Sequence, residues 1–270
     1  MDILTAIILG LVQGVMEFLP VSANGHLILF REIVDIEYVN QLAVSGVLHL
    51  ATALAAIFYF WNDIWVLIQT LMRKMGRLPV NEKDLMLLYA LLIGTIPGVI
   101  LGFLLEPVFE KYFANALTVA VVLMVSAFFF MYAEWRYYMH PPHGELTVNK
   151  GFKIGLFQIL ALIPGFSRTG ATLAGGMLLG LTRYESTRFS FLLAIPLTLG
   201  FGLKKLLDLI VVEGEADWLP LIIGAVVSFV VALIVIHLFL NFIRRHSLWP
   251  FIWYSLILSS LTIYYLVFVQ

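Results

Sequence analysis

Charge is what this chain has least of. Its 270 residues include 16 Lys/Arg and 17 Asp/Glu, 12% in all, against roughly 25% in an ordinary soluble domain. So few charges cannot supply the polar skin of a soluble fold. A soluble globular domain, a disordered chain and a nucleic-acid-binding protein are therefore excluded. Cysteine is absent, which removes disulfides, thiol chemistry and cysteine-ligated metals. No basic stretch follows Met1-Asp2, so no cleavable leader is expected. What is present is apolar: 61% of residues are hydrophobic and the mean hydropathy is +0.99. The chain reads as a single all-α polytopic membrane domain over 1–270.

A helix needs about 20 mostly apolar residues to cross a bilayer. Six stretches qualify: 41–61, 85–105, 115–133, 189–212, 219–240 and 250–269. Trp61, Trp218 and Trp249 flank them as interfacial anchors. Two further apolar regions break at polar Pro/Gly tips. Region 3–31 breaks at Pro20-Val21-Ser22-Ala23-Asn24-Gly25-His26, and region 151–182 at Pro164-Gly165-Phe166-Ser167-Arg168-Thr169-Gly170. Each arm is too short to cross alone, so the pattern predicts two re-entrant helix hairpins. Irregular backbone at membrane depth is tolerated only inside protein or beside a wet cavity.

Basic residues gather in 62–84 (Arg73, Lys74, Arg77, Lys83), in 134–153 (Arg136, Lys150, Lys153), before the fourth span (Arg183, Arg188) and after the fifth (Arg244, Arg245). The segments 31–40, 106–114 and 213–218 hold only Arg31 and Lys111. The basic side is assigned cytoplasmic. Both termini then lie outside, and the hairpins enter from opposite faces. The hairpins also resemble one another: Gly10-Leu11-x-Gln13 matches Gly155-Leu156-x-Gln158, and Ser22-x-x-Gly25 matches Ser167-x-x-Gly170, at one offset of 145. This predicts an inverted-topology repeat with halves roughly 1–133 and 149–270.

Ionisable groups inside membrane helices are costly and usually functional. Glu17, His26 and Arg168 stand out. Glu17 lies one turn after Gln13, on the same helix face. If the tips meet, Glu17, Ser22, Asn24, His26, Ser167, Arg168 and Thr172 line one polar pocket. One fixed cation, hydroxyls and turn N–H groups suit a phosphate. A carboxylate there needs protonation or a bridging Mg²⁺ or Ca²⁺, since the available ligands are oxygens. His49 and His237 lie in spans without a polar cluster nearby and are read as packing or interfacial residues. Lys204, Lys205 and Asp208 are read as snorkelling near a helix end.

At these residues the sequence resembles the undecaprenyl-diphosphate phosphatase family, the bacitracin-resistance type of integral-membrane phosphatase. Gln13-x-x-x-Glu17 with the Pro20–His26 tip resembles the family's first motif. Pro164-Gly165-Phe166-Ser167-Arg168-Thr169-Gly170-Ala171-Thr172 resembles its second, and Phe189–Pro196 and Ile96-Pro97-Gly98 are also similar. The resemblance implies six spans and two re-entrant hairpins in the plasma membrane. It also implies hydrolysis of a polyprenyl diphosphate to the monophosphate and inorganic phosphate in a pocket open to the outer face. By position, Glu17 and Gln13 would bind metal or water. Ser22, Asn24, Gly25, Ser167, Thr169 and Thr172 would hold phosphate oxygens, and Arg168 would neutralise them. His26 would be nucleophile or base.

Ala23, Asn24 and Thr169 depart from the family pattern. Ala23 removes a serine that is a nucleophile candidate in the family, which leaves His26, Ser22 or an activated water as the attacking group. The departures also leave room for a different polyprenyl carrier. The alternative to an enzyme is a transporter that flips a polyprenyl phosphate through the same midplane pocket. The expected partners are the lipid substrate and membrane lipid, with no nucleic acid and with an oligomer left open.

Overall fold

The computed structural model describes residues 2–34, 41–113, 115–212 and 218–269. Every regular element among them is helical: α1 (Ile3–Met16), α2 (Ala23–Val34), α3 (Gln41–Tyr59), α4 (Trp61–Met75), α5 (Glu82–Phe113), α6 (Ala116–Met139), α7 (Val148–Phe157), a 3₁₀ turn (Gln158–Leu162), α8 (Arg168–Leu178), α9 (Arg183–Val212), α10 (Trp218–Ile243) and α11 (Trp249–Phe268). Five helices are long and apolar enough to cross a membrane, or six if the bent pair α3–α4 counts as one span. The protein is a multi-pass membrane protein.

Several boundaries differ from the sequence reading. The segment 62–84, expected to be a loop, contains α4, which leaves α3 at a bend of 74°. Its composition explains the helix: Leu67 and Thr70 are buried, while Arg73 and Lys74 face out. Such an amphipathic helix suits an interface rather than a crossing. α5 continues through 106–113 and α6 continues to Met139. In the hairpins the helices resume earlier than the tip residues imply, at Ala23 and at Arg168. The acidic residues Glu213, Glu215 and Asp217, and residues 35–40, lie outside the described residues.

The arms of the two hairpins are seated in equivalent ways. α1 packs along α10 and α7 along α5. Gly10 lies so close to α10 that a Cβ would meet the Gly224 carbonyl oxygen at 2.5 Å. A Cβ on Gly155 would overlap the Gly94 carbonyl oxygen of α5. Small residues at these contacts let the backbones approach, which drives helix association where no hydrophobic gradient exists. At the start of α1 the Thr5 N–H donates to the Asp2 carboxylate at 2.8 Å, holding Asp2 below the usual carboxylate range. α3 packs on α9, and α6 on α11.

Three arginines collect at one end. Arg188 at the start of α9 pairs with Asp63 of α4. Arg183 pairs with Glu134 of α6, which also accepts the Leu248 N–H at 2.6 Å. Arg244 after α10 donates to the Tyr184 hydroxyl. Between this end and the other, an apolar core of Phe18, Phe130, Phe166, Phe191 and Phe239 surrounds the hairpin tips.

Gly155→Ala is expected to destabilise the purified protein in detergent by about 1–3 kcal/mol, the usual cost of overpacking. Gly200→Ala, with no heavy atom within 4 Å of its added Cβ, should leave Tm unchanged or slightly raised. Thermal unfolding of the two variants side by side checks this.

Candidate active site at the hairpin tips

Each tip is a short break between two helices. In the first, Val21 N–H donates to the Leu19 carbonyl at 2.8 Å, a tight three-residue turn. Ser22 follows with φ +69°, the left-handed region that a residue with a Cβ seldom occupies. Strain of this kind persists where surrounding contacts over-determine it. Here the Ser22 carbonyl accepts from both the His26 N–H (3.1 Å) and the His26 ring Nδ1 (2.9 Å). In the second tip, Gly165 takes φ +99°, and Ser167 caps α8 by accepting the Gly170 N–H at 3.1 Å.

The tips are bound to each other through main-chain carbonyls. Thr169 Oγ1 donates to the Glu17 carbonyl at 2.9 Å and Ser167 Oγ to the Leu19 carbonyl at 3.3 Å. Their side chains meet as well: the Arg168 guanidinium pairs with the Glu17 carboxylate. Glu17 is buried, and Gln13 Nε2 donates to its second oxygen at 2.8 Å. The other terminal nitrogen of Arg168 donates to Thr198 Oγ1 of α9. Two polar atoms here, Gln13 Oε1 and Arg168 Nε, are buried without a hydrogen-bond partner among the described residues. Buried polar groups are normally satisfied, so these two atoms keep unmet hydrogen-bonding capacity beside the ion pair.

His26 lies on α2 one turn past Ser22. Its Nδ1 contacts a carbonyl, which can only accept, so Nδ1 carries a proton. In the neutral ring the lone pair is then on Nε2, which receives the Tyr254 hydroxyl at 2.8 Å. The two rings stack at 5.6 Å. Neither ring nitrogen is bonded to Ser22 Oγ, which instead accepts the Gly25 N–H at 3.3 Å.

The remaining expected residues are arranged unevenly. Asn24 is exposed, and Gly25 is buried beneath Ser22. Thr172 is committed elsewhere: its hydroxyl donates to the Arg168 carbonyl at 3.0 Å and lies 2.5 Å from Ser190 Oγ. α2 and α8 both begin at the tips, so two positive helix ends face this region.

Four residues escaped the sequence reading. His49 is the first correction: its Nε2 is 3.5 Å from Glu17, and its Nδ1 bonds the Ser45 carbonyl at 2.8 Å. The polar pair Ser45 and His49, four residues apart on one face of α3, was the available signal. Thr198 and Tyr254 gave none, because hydroxyls in long apolar helices are ordinary. Lys205, read as snorkelling, is buried, with its ammonium 5.5 Å from the Phe201 ring centroid; that ring in turn packs on His49. His237 is bonded to Tyr59 and Asn241, as an interfacial residue can be.

For a divalent cation the donors are few. Among the described residues no three His, Cys, Asp or Glu form a cluster. Glu17 and the unpartnered Gln13 Oε1 offer two oxygens to an ion that takes six or more. They fit a cation whose other ligands come from phosphate and water.

Removing one member of a buried pair leaves the other charge uncompensated, at a cost of about 3–5 kcal/mol. Glu17→Gln and Arg168→Gln should each lower Tm, and the double variant should lose less than the sum of the two. Thermal melts forming a double-mutant cycle check the coupling.

The sequence is 38% identical over 266 residues to the undecaprenyl-diphosphatase of Alteromonas mediterranea, covering 98% of this chain and 99% of that protein. It is 36% identical over 259 residues to that of Micrococcus luteus (94% of each chain). It is 35% identical over 277 residues to that of Methanosphaera stadtmanae (97% of this chain and 98% of that protein). The family model described as bacitracin resistance protein BacA matches residues 6–261. With both tip motifs inside that span, the chain belongs to the bacitracin resistance protein BacA family.

Proposed function

We propose that this protein hydrolyses undecaprenyl diphosphate, or a closely similar polyprenyl diphosphate, to the monophosphate and inorganic phosphate. The observation that carries the reading is the Arg168–Glu17 pair between two hairpin tips, Glu17 buried and Arg168 partly so, with Arg168 Nε and Gln13 Oε1 unpartnered beside it. A diphosphate supplies the acceptor that Arg168 lacks. The relatives carry the name of this activity over nearly their whole length. A flippase of polyprenyl phosphate is not favoured, because the matched relatives are named for hydrolysis.

In this reading the two halves, roughly 1–133 and 149–270, form an inverted repeat whose hairpins enter from opposite faces. The equivalent seating of α1 on α10 and of α7 on α5 supports it. The end rich in Arg183, Arg188 and Arg244 is cytoplasmic by the positive-inside rule. The termini are then outside, and the pocket opens to the outer face.

Phosphoryl transfer asks the protein chiefly for positioning and for charge stabilisation. Once the diphosphate displaces Glu17 from it, Arg168 offers a planar fork to two phosphate oxygens. Ser22 Oγ, with its hydrogen free to donate, and the helix ends at Ala23 and Arg168 hold the others. Ser167 and Thr169 act one step back by tying the tips together. Glu17 and Gln13 would hold a Mg²⁺ or Ca²⁺ ion, which would supply neutralising charge to the diphosphate. His26 supplies a lone pair on Nε2, as nucleophile or base. Ser22 is not activated by His26 in this arrangement, since both ring nitrogens are engaged elsewhere.

Release of phosphate from a polyprenyl diphosphate by purified protein tests the activity. Arg168→Lys, keeping charge but losing the fork, should lose most turnover. His26→Ala should abolish it, and Ser22→Ala should only weaken it. Equal inactivity of the Ser22 and His26 variants, with substrate still bound, would favour Ser22 as nucleophile. Exhaustive chelation should also stop phosphate release, with recovery on adding Mg²⁺ or Ca²⁺. Full activity after chelation would assign Glu17 to proton transfer instead.

A further inference from the structure

Tyr254 belongs to neither hairpin. It projects from α11, 228 residues along the chain from His26, yet its hydroxyl is the partner of His26 Nε2 at 2.8 Å. Three observations fix what it does there. First, Nδ1 is committed to the Ser22 carbonyl at 2.9 Å. Nε2 is therefore the nitrogen that gains or loses a proton, and the Tyr254 hydroxyl donates to it. Second, His26 is buried (8% exposed) whereas Tyr254 is 41% exposed. The phenol thus lies between a buried base and the less buried face of α11. Third, the hydroxyl occupies the line along which phosphorus would have to approach the Nε2 lone pair. Direct attack by Nε2 requires that contact to be broken, but proton transfer uses it as it stands.

We infer that Tyr254 is a catalytic residue that relays the proton between the attacking water and His26 Nε2. The inference rests on the phosphatase reading above with His26 as base. In the relayed step a water bonded to Tyr254 Oη attacks the terminal phosphorus. The new bond is from water oxygen to phosphorus. The bond broken joins phosphorus to the bridging oxygen, whose electron pair leaves with the polyprenyl monophosphate. One water proton passes to Tyr254 Oη while the phenol's own proton passes to Nε2, so Tyr254 is regenerated neutral and His26 becomes imidazolium. The reverse relay returns that proton to inorganic phosphate or solvent and resets the site. No oxidant or further reactant is needed. A hydroxyl placed between base and water extends the reach of an imidazole that is held too deep to touch the water itself.

Tyr254→Phe keeps the stacked ring and deletes the relay. It should lower kcat by about 100-fold or more, the usual worth of a positioned proton-transfer group, with KM within about threefold of the parent. The parent should show a normal solvent deuterium isotope effect on kcat, and the Phe variant should not share it. Tyr254→Leu, which removes the ring as well, separates packing from chemistry. If Phe is active and Leu is not, Tyr254 only packs on His26 and the relay is overturned. If Phe turns over at the parental rate while His26→Ala is dead, His26 acts without the phenol, and the relay fails although the phosphatase reading stands. If His26→Ala itself retains turnover, the role given to His26 fails first. A Phe variant with reduced kcat, a parental Tm and an altered isotope effect supports the relay.

Discussion

A single ion pair, Arg168 on Glu17, is the constraint around which the rest of the structure is organised. Each partner comes from the break in a different hairpin, and neither charge tolerates burial alone. The surrounding contacts read as the means of keeping them together. Thr169 and Ser167 bind the carbonyls of the opposite tip, Gln13 and His49 flank the carboxylate, and Thr198 takes the free end of the guanidinium. Outside this polar knot the bundle is packed with phenylalanine. The low dielectric strengthens every bond in the knot and raises the cost of leaving one unmade. The small residues that seat α1 and α7 serve the same end, because a hairpin that sits too high or too low pulls its charge away from its partner.

How much of this was legible depended on the kind of signal. Glu17 and Arg168 were readable because a charge inside an apolar run has few innocent explanations. The tips were readable because proline and glycine interrupt helices through backbone chemistry that no tertiary context removes. The meeting of the tips followed from charge arithmetic and from the matched Ser-x-x-Gly elements. His49 was passed over because membership of the site is a property of three dimensions. Its polar neighbour Ser45 is four residues away, but its charged one, Glu17, is on another helix. Thr198 is harder still, since a threonine hydroxyl within a span has an intrahelical acceptor at hand, and so is Tyr254, because an aromatic near a helix end reads as an interfacial anchor. α4 was read as loop because basic residues were counted for sidedness and not for their spacing on one face.

The backbone at Ser22 illustrates how the site uses its covalent geometry. A glycine would adopt φ +69° without cost. The serine keeps a hydroxyl at this bend, and the two bonds from His26 to its carbonyl hold the conformation in place. The same carbonyl decides which imidazole nitrogen keeps its lone pair. One strained residue therefore sets both the direction of the chain into α2 and the tautomer of the histidine one turn later.

The closed pair has a consequence for which anions the protein retains. Glu17 occupies Arg168 before any lipid arrives, so it behaves as a tethered ligand with a very high local concentration. An incoming anion is bound only by the margin with which it outcompetes that carboxylate, and its apparent affinity falls by the fraction of time the pair is closed. A group with two phosphates clears this threshold more readily than one with a single phosphate. On the proposed function, the carboxylate would act as a discriminator, admitting the more highly charged head group and helping to expel the less charged one. A protein embedded among anionic lipids would in that way be spared saturation by its own surroundings.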